Sequence, residues 1–310
     1  MGRRLTHTVL TFLLTVTSLP NAIVSFSAVS TKSTSALLAD YADNIKTLKD
    51  KAKRAMDNPP GNDVFYLRYC LAFPDDIPAQ KERLEANLEW RSKGIGKSIC
   101  ESAELAILTA NADKLKWNNE PLRVSAPYAP IINGYITPNQ SITTTSSKGD
   151  LIYCVRAGKI DDVELMSQLD VDQMVEFFLY CKEVNAQVAD MRSLTMDRLV
   201  RVITANDLSG VKLVGGDATF RKALSAASTQ ANDLYPELSG PTLLLNLPPL
   251  VGALVKVFTP LFPPAVRKKL KFEKGVLAKN MELTDYLVGG KGRKSFEQDI
   301  DDLVYKGGEW

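Results

Sequence analysis

The sequence predicts an α/β fold: a helical N-terminal unit followed by a mixed sheet. Three observations predict it. From Pro121 onward, strand-like runs alternate with helical patterns: Leu151 to Val155, then Val171 to Leu199, Val200 to Leu208, Ala218 to Leu234, and Thr242 to Leu247. Such alternation argues α/β architecture. Second, Ser147-Lys148-Gly149-Asp150 is a hairpin-like turn between Ile142–Ser147 and Leu151–Val155. Strands joined by so short a turn are antiparallel, so the sheet is mixed. Third, Tyr41 to about Lys116 shows only helical spacing.

In order along the chain, Ala42, Ile45 and Leu48 recur at helical intervals with Lys and Asp between them, and Asn58-Pro59-Pro60-Gly61-Asn62 is a loop. Asp75 or Asp76 caps the next helix, with Pro78 in its first turn. Leu84, Leu88 and Arg91 share a face, and Glu101 to Asn111 forms a further helix. In the long helix, Met174, Phe177, Phe178 and Cys181 mark the buried side.

Leu234 to Phe272 is the most informative stretch. Tyr235-Pro236-Glu237 forms a turn, and Thr242 to Leu247 is a buried strand whose one amide is Asn246. Leu250 to Phe258 follows, fenced by Pro248, Pro249 and Pro260, with Lys256 its only charge. A helix apolar nearly all round needs apolar matter on two sides, and this one is too short to span a bilayer. It reads either as a buried core helix or as a lid between a lipid and a membrane. Arg267, Lys268, Lys269 and Lys271 close the stretch.

Composition limits the chemistry. The chain has 310 residues, 45% of them hydrophobic, and a net charge of +2. That charge argues against broad nucleic-acid binding. Its one histidine, His7, lies in a presumed signal segment, so Ser-His-Asp and Cys-His catalysis are not expected. No G-x-S-x-G, H-E-x-x-H or G-x-G-x-x-G occurs, and GGKGRKS at Gly289–Ser295 lacks phosphate-loop spacing. No enzyme, metal or cofactor is expected. Cys70, Cys154 and Cys181 sit among apolar neighbours, as free buried cysteines do, and neither they nor Cys100 form a CxxC pair.

Arg3 and Arg4 precede an apolar run, Val9 to Leu19, of signal-peptide length (residues 1–25). Phe26 to Ala39 is rich in Ser, Thr and Ala, and the first acidic residue is Asp40. The two segments together have the form of a bipartite plastid presequence. The alternative is a plain secretory signal with a polar mature N-terminus. Asn139-Gln140-Ser141 is a lone N-glycosylation sequon.

The order Tyr235-Pro236-Glu237, strand, Asn246-Leu247-Pro248, apolar segment resembles the CRAL-TRIO family of lipid-transfer proteins. VFYLRYCLAFPDDIPAQKERLEANLEWR (Val64 to Arg91), DLIYCVRAGKID (Asp150 to Asp161), RVITANDLSGVKL (Arg201 to Leu213) and LTDYLVGG (Leu283 to Gly290) are similar to the family's further elements, in its order. The resemblance implies a helical unit over 41–116, a lipid-binding domain over 117–290 and a C-terminal tail over 291–310. It implies a sheet-floored lipid cavity closed by a gate helix carrying Leu250, Val251, Leu254, Val255 and Phe258. Phe177, Leu243 and Leu245 are expected in the cavity wall. By the family's register, Glu237, Lys269 and Arg68 are the headgroup residues. The basic pair of phosphatidylinositol-binding members is absent from LRYCLAFPDD, which leaves room for another phospholipid, a terpenoid or a pigment. The implied partners are one lipid and, peripherally, anionic membranes; the chain is expected to be a monomer. A non-transferring scaffold with a collapsed cavity is the alternative.

Overall fold

The computed structural model describes residues 32–112, 117–211, 216–249 and 269–306. The presumed signal segment lies outside the described residues. So do Leu250, Val251, Leu254, Val255, Phe258, Arg267 and Lys268.

The first half is helical: α1 (Thr34–Asp40), α2 (Ala42–Ala55), α3 (Asp63–Ala72), α4 (Ile77–Ser92), α5 (Gly94–Ala110), α6 (Glu120–Val124) and α7 (Ala129–Tyr135). Strands β1 (Ser141–Thr145) and β2 (Leu151–Arg156) follow, then helices α8 (Asp162–Met166) and α9 (Val171–Thr195), strand β3 (Val202–Asp207), helix α10 (Ala218–Leu234), strands β4 (Ser239–Leu245) and β5 (Leu270–Glu273), and helix α11 (Arg293–Ile300).

Caps explain several boundaries. Asp76 starts α4 by accepting from the Ala79 amide, with a proline in the first turn. Asp170 and Gln173 close a capping box at the start of α9. Asp217 accepts from the amides of Thr219 and Phe220 at the start of α10.

The five strands lie in sequence order, β1-β2-β3-β4-β5. β1 pairs antiparallel with β2, as the short turn requires, and the other pairs are parallel. The fold is thus mixed α/β with a helical N-terminal region. β5 has no counterpart in the sequence reading, because four residues of LKFE carry too short a pattern to mark a strand.

Residues 33–39 differ from their expected place in a transit segment. Ser33 caps α1 through the Ala36 amide, and Leu37 is buried among Ile45, Leu48 and Leu67. Asp197 holds the same helix by accepting from the Ser35 amide at 2.7 Å and the Ser35 hydroxyl at 3.0 Å. This helix is a working part of the N-terminal core.

All four cysteines are free. The sequon residue Asn139 is used inside the fold, its Oδ1 accepting from the Leu283 amide at 3.3 Å. No described helix is long and apolar enough to cross a membrane.

Candidate functional site

Paired residues on neighbouring strands share a face, so the register sorts the sheet into two sides. One side carries Ile142, Ile152, Cys154, Ile203, Ala205, Leu243 and Leu245, each at most 2% exposed. Residues 276–304 seal it: Val276, Leu277, Leu283, Tyr286, Phe296, Ile300 and Val304 pack on these side chains as one core. The C-terminal segment is therefore a structural layer of the domain.

The other side carries two cross-strand rows. One is Thr143–Tyr153–Thr204–Thr242–Leu270, and the next is Ser141–Val155–Asn206–Leu244–Phe272. Leu151 and Val202, at the start of the strands, pack with α9 in the main core. Farther along, Tyr153, Val155, Thr204 and Thr242 keep accessible surface although they stand in interior strands, and Phe272 is exposed. Interior strands under a packed layer are normally closed. This face is open in part, since Leu244, Leu270, Thr143, Ser141 and Asn206 of the same rows are buried, and it mixes hydroxyls and an amide with apolar groups.

At the start of the parallel strands lies a polar cluster. Arg201, just before β3, donates from Nη2 to Glu237 Oε2 at 2.8 Å, and both side chains are almost fully buried. Glu237 has a positive φ of 54°, which turns the chain out of α10 and into β4. Its Oε1 is buried without a hydrogen-bond partner. Lys269, just before β5, donates to the Ser239 carbonyl at 2.9 Å. Burial lowers the Lys269 pKa to about 8; Glu237 opposes that shift and Arg201 adds to it. Arg68, from α3, reaches the same turn, donating to Asp190 Oδ1 at 2.6 Å, the Glu237 carbonyl at 2.7 Å and the Val200 carbonyl at 2.8 Å. A second buried pair braces the helical unit: Arg91 grips both oxygens of Glu183, at 2.8 and 2.7 Å.

The structure thus brings Arg68, Glu237 and Lys269 to one corner, from three distant stretches of chain. The described bonds of Arg68 tie the helical unit to the sheet domain. Leu243 and Leu245, expected in the cavity wall, lie instead on the sealed side, where an apolar run alone cannot reveal the face; Leu244 is the residue on the open side. Phe177 is buried in the main core beside Phe178, whose ring meets Phe220 of α10 at 5.9 Å. Arg201 escaped the sequence reading, because nothing local marks it as the partner of Glu237.

At the far end of the strands, Asn246 has a positive φ of 52°. Its Nδ2 donates to Asp207 Oδ1 and to the Leu277 carbonyl, both at 3.0 Å. Its Oδ1 accepts from the Gly275 amide at 3.1 Å. The amide of the Asn-x-Pro element therefore ties the Asp-Leu-x-Gly turn to the segment beyond β5.

The domain thus has one sealed sheet face, one partly open face of mixed polarity and an Arg-Glu-Lys corner. Residues 139–287 match the model of the CRAL/TRIO domain, and the chain belongs to the CRAL-TRIO family of lipid-binding and lipid-transfer proteins. It is 24% identical over 271 residues to the phosphatidylinositol transfer protein SFH5 of Candida albicans, the match covering 82% of each chain. Among solved structures, a crystal structure of Sfh5 matches 79% of this chain and 75% of its own, at 16% identity and a TM-score of 0.44.

Proposed function

We propose that the chain carries one phospholipid or other hydrophobic ligand over the open face of the sheet and exchanges it at membranes. The open face carries this reading: Tyr153, Val155, Thr204 and Thr242 stay accessible, whereas the opposite face of the same strands is closed. Half-buried side chains in interior strands leave surface that a ligand can cover, and a surface of apolar groups with a few convergent polar ones suits an amphiphile.

The gate belongs to this reading. β4 and β5 are parallel, so the connection after Asn246 returns to the start of the sheet before Lys269. Leu250, Val251, Leu254, Val255 and Phe258 then cover the ligand when closed and meet the membrane when open. Arg267, Lys268 and Lys271 draw them to an anionic surface, at roughly 1 kcal/mol per basic residue.

In this reading the ligand's head lies at the corner of Glu237 and Lys269. Glu237 Oε1 is an acceptor for a ligand hydroxyl, the Lys269 ammonium faces a phosphate, and Arg68 positions the turn. The chain acts as a monomer and a carrier, not a catalyst. Any presequence removed on plastid import or secretion ends before Ser33, since α1 supplies a core side chain.

Transfer of labelled phospholipid between vesicles by the purified chain tests the reading. Transfer is expected, and it slows with Val251→Asp or Leu254→Asp. Binding without transfer marks a lipid sensor; neither binding nor transfer marks a scaffold and ends the carrier reading.

A further inference from the structure

Two polar side chains above the open face have no part in the corner at Glu237. Asn206 is 9% exposed, and its Nδ2 has no hydrogen-bond partner. It stands in β3, in the same row as Val155 and Leu244. Lys182 stands in α9 and is partly buried. Among the described residues no carboxylate or carbonyl accompanies its ammonium; its electrostatic neighbour is the Cys181 thiol.

The topology places the two at a similar level along the sheet. Ser193 Oγ accepts from the Val200 amide at 2.8 Å, which sets the end of α9 level with the approach to β3. Lys182 lies about 16 Å back along the helix from that level, at roughly 1.5 Å per residue. Thr204 and Asn206 lie about 13 and 20 Å along the strand from it, at roughly 3.3 Å per residue. Lys182 is thus level with the Thr204–Asn206 stretch. Around the helix it follows Phe178 by one turn, and Phe178 meets Phe220 of α10. Its neighbour Cys181 packs in the core that includes Tyr153, an electrostatic neighbour of that thiol. Lys182 therefore lies on the side of α9 that carries Phe178 toward α10 and Cys181 toward the sheet.

An enclosed ammonium with no counter-charge is costly, and so is an unpaired buried amide. Burial lowers the Lys182 pKa, in keeping with that cost. Both groups are donors. Their complement is an oxyanion, which a ligand over this face can bring.

We propose that Lys182 and Asn206 form an oxyanion anchor inside the open face, which takes the carboxylate or phosphate of an acidic lipid. The anchor rests on the carrier reading and adds a second polar station, toward the far end of the strands from Lys269. It assigns the ligand class: an amphiphile with an acidic group that enters the molecule.

The test compares a fluorescent polyene fatty acid with its methyl ester as probes of the full chain. Wild type is expected to bind the acid at least about tenfold more tightly than the ester, the size of one charge-assisted contact. Lys182→Met should erase that preference and leave ester binding intact, which also shows that the variant folds. Lys182→Arg should retain the preference, and Asn206→Leu should reduce it by a smaller factor. Equal binding of acid and ester by wild type, or a preference that survives Lys182→Met, overturns the anchor while the carrier reading stands. Failure of both probes to bind wild type overturns both. Displacement of the acid by lysophosphatidic acid but not by oleate assigns the anchor to phosphate, and the reverse assigns it to carboxylate. Displacement by inorganic phosphate as readily as by either lipid would mark a free-anion site and overturn the lipid assignment.

Discussion

The two faces of this sheet are built from the same strands and serve opposite ends. On one, Ile152, Ile203, Ala205, Leu243 and Leu245 are shut away beneath Phe296, Ile300 and Val304. On the other, Tyr153, Thr204, Thr242 and Phe272 keep contact with solvent. Apolar burial on the first face contributes to folding stability at roughly 25 cal/mol per Å². The second face leaves part of that contribution unmade, and in the proposed function a ligand supplies it. Stability and binding are thus separated by strand parity, and a substitution one residue along a strand should change which of them suffers.

The largest effect is expected from removing the cover of the sealed face. Truncation after Lys291 strips Phe296, Ile300 and Val304 from the core, and should cost more than any single substitution. A chain that melts at the wild-type temperature after this cut would refute the structural role of the C-terminal layer.

Next come single changes on the sealed face. Leu243→Ala or Leu245→Ala should cost about 2–5 kcal/mol, as buried leucine truncations do. Arg68→Ala should cost about 3–5 kcal/mol, because it strands Asp190 as a buried charge. Denaturant midpoints check both.

The open face should behave in the opposite way. Thr204→Trp fills the space over the central strand. It should change the denaturant midpoint by less than about 1 kcal/mol yet abolish lipid loading. A large loss of stability with loading retained would reverse the assignment of the faces.

The smallest effect concerns pH. The Lys269 pKa is lowered in the folded chain to about 8, from an ordinary 10.5. Between those values the unfolded chain binds more protons at this group, so its contribution to stability grows as pH rises through that window. Binding of an anionic lipid should run the other way and weaken from about pH 8 upward, as the ammonium is lost. Neutral lipid should bind evenly across the range, and Lys269→Met should flatten the anionic profile. Titration of both lipids from pH 6 to about pH 10 reads the difference directly.

Much of this fold is legible in the sequence, and the part that is not has identifiable causes. The long helix expected over Val171–Leu199 and found over Val171–Thr195, the helix from Ala218 to Leu234 and the strand expected over Thr242–Leu247 and found over Ser239–Leu245 follow in kind and order from periodicity and flanking turns. The antiparallel start of the sheet follows from Ser147-Lys148-Gly149-Asp150. α1 was hidden because Ser, Thr and Ala suit a transit segment as well as they suit a capped helix. Of the proposed site, Glu237 and Lys269 are named by family order alone. Their partners are not legible, since Arg201 and Glu237 meet only through the parallel pairing of β3 and β4. An unbroken apolar run such as Thr-Leu-Leu-Leu carries no parity signal. Only the register shows that Leu244 faces one way and its two neighbours the other.

The central claim is that the open face is made to be covered by a lipid. Solvent extraction of the purified full chain after incubation with mixed phospholipid vesicles, followed by mass spectrometry of the extract, tests it most directly. The account predicts about one lipid molecule per chain for wild type, and none for Thr204→Trp under the same treatment. A wild-type chain that emerges free of lipid, or a Thr204→Trp chain that carries as much as wild type, would contradict it.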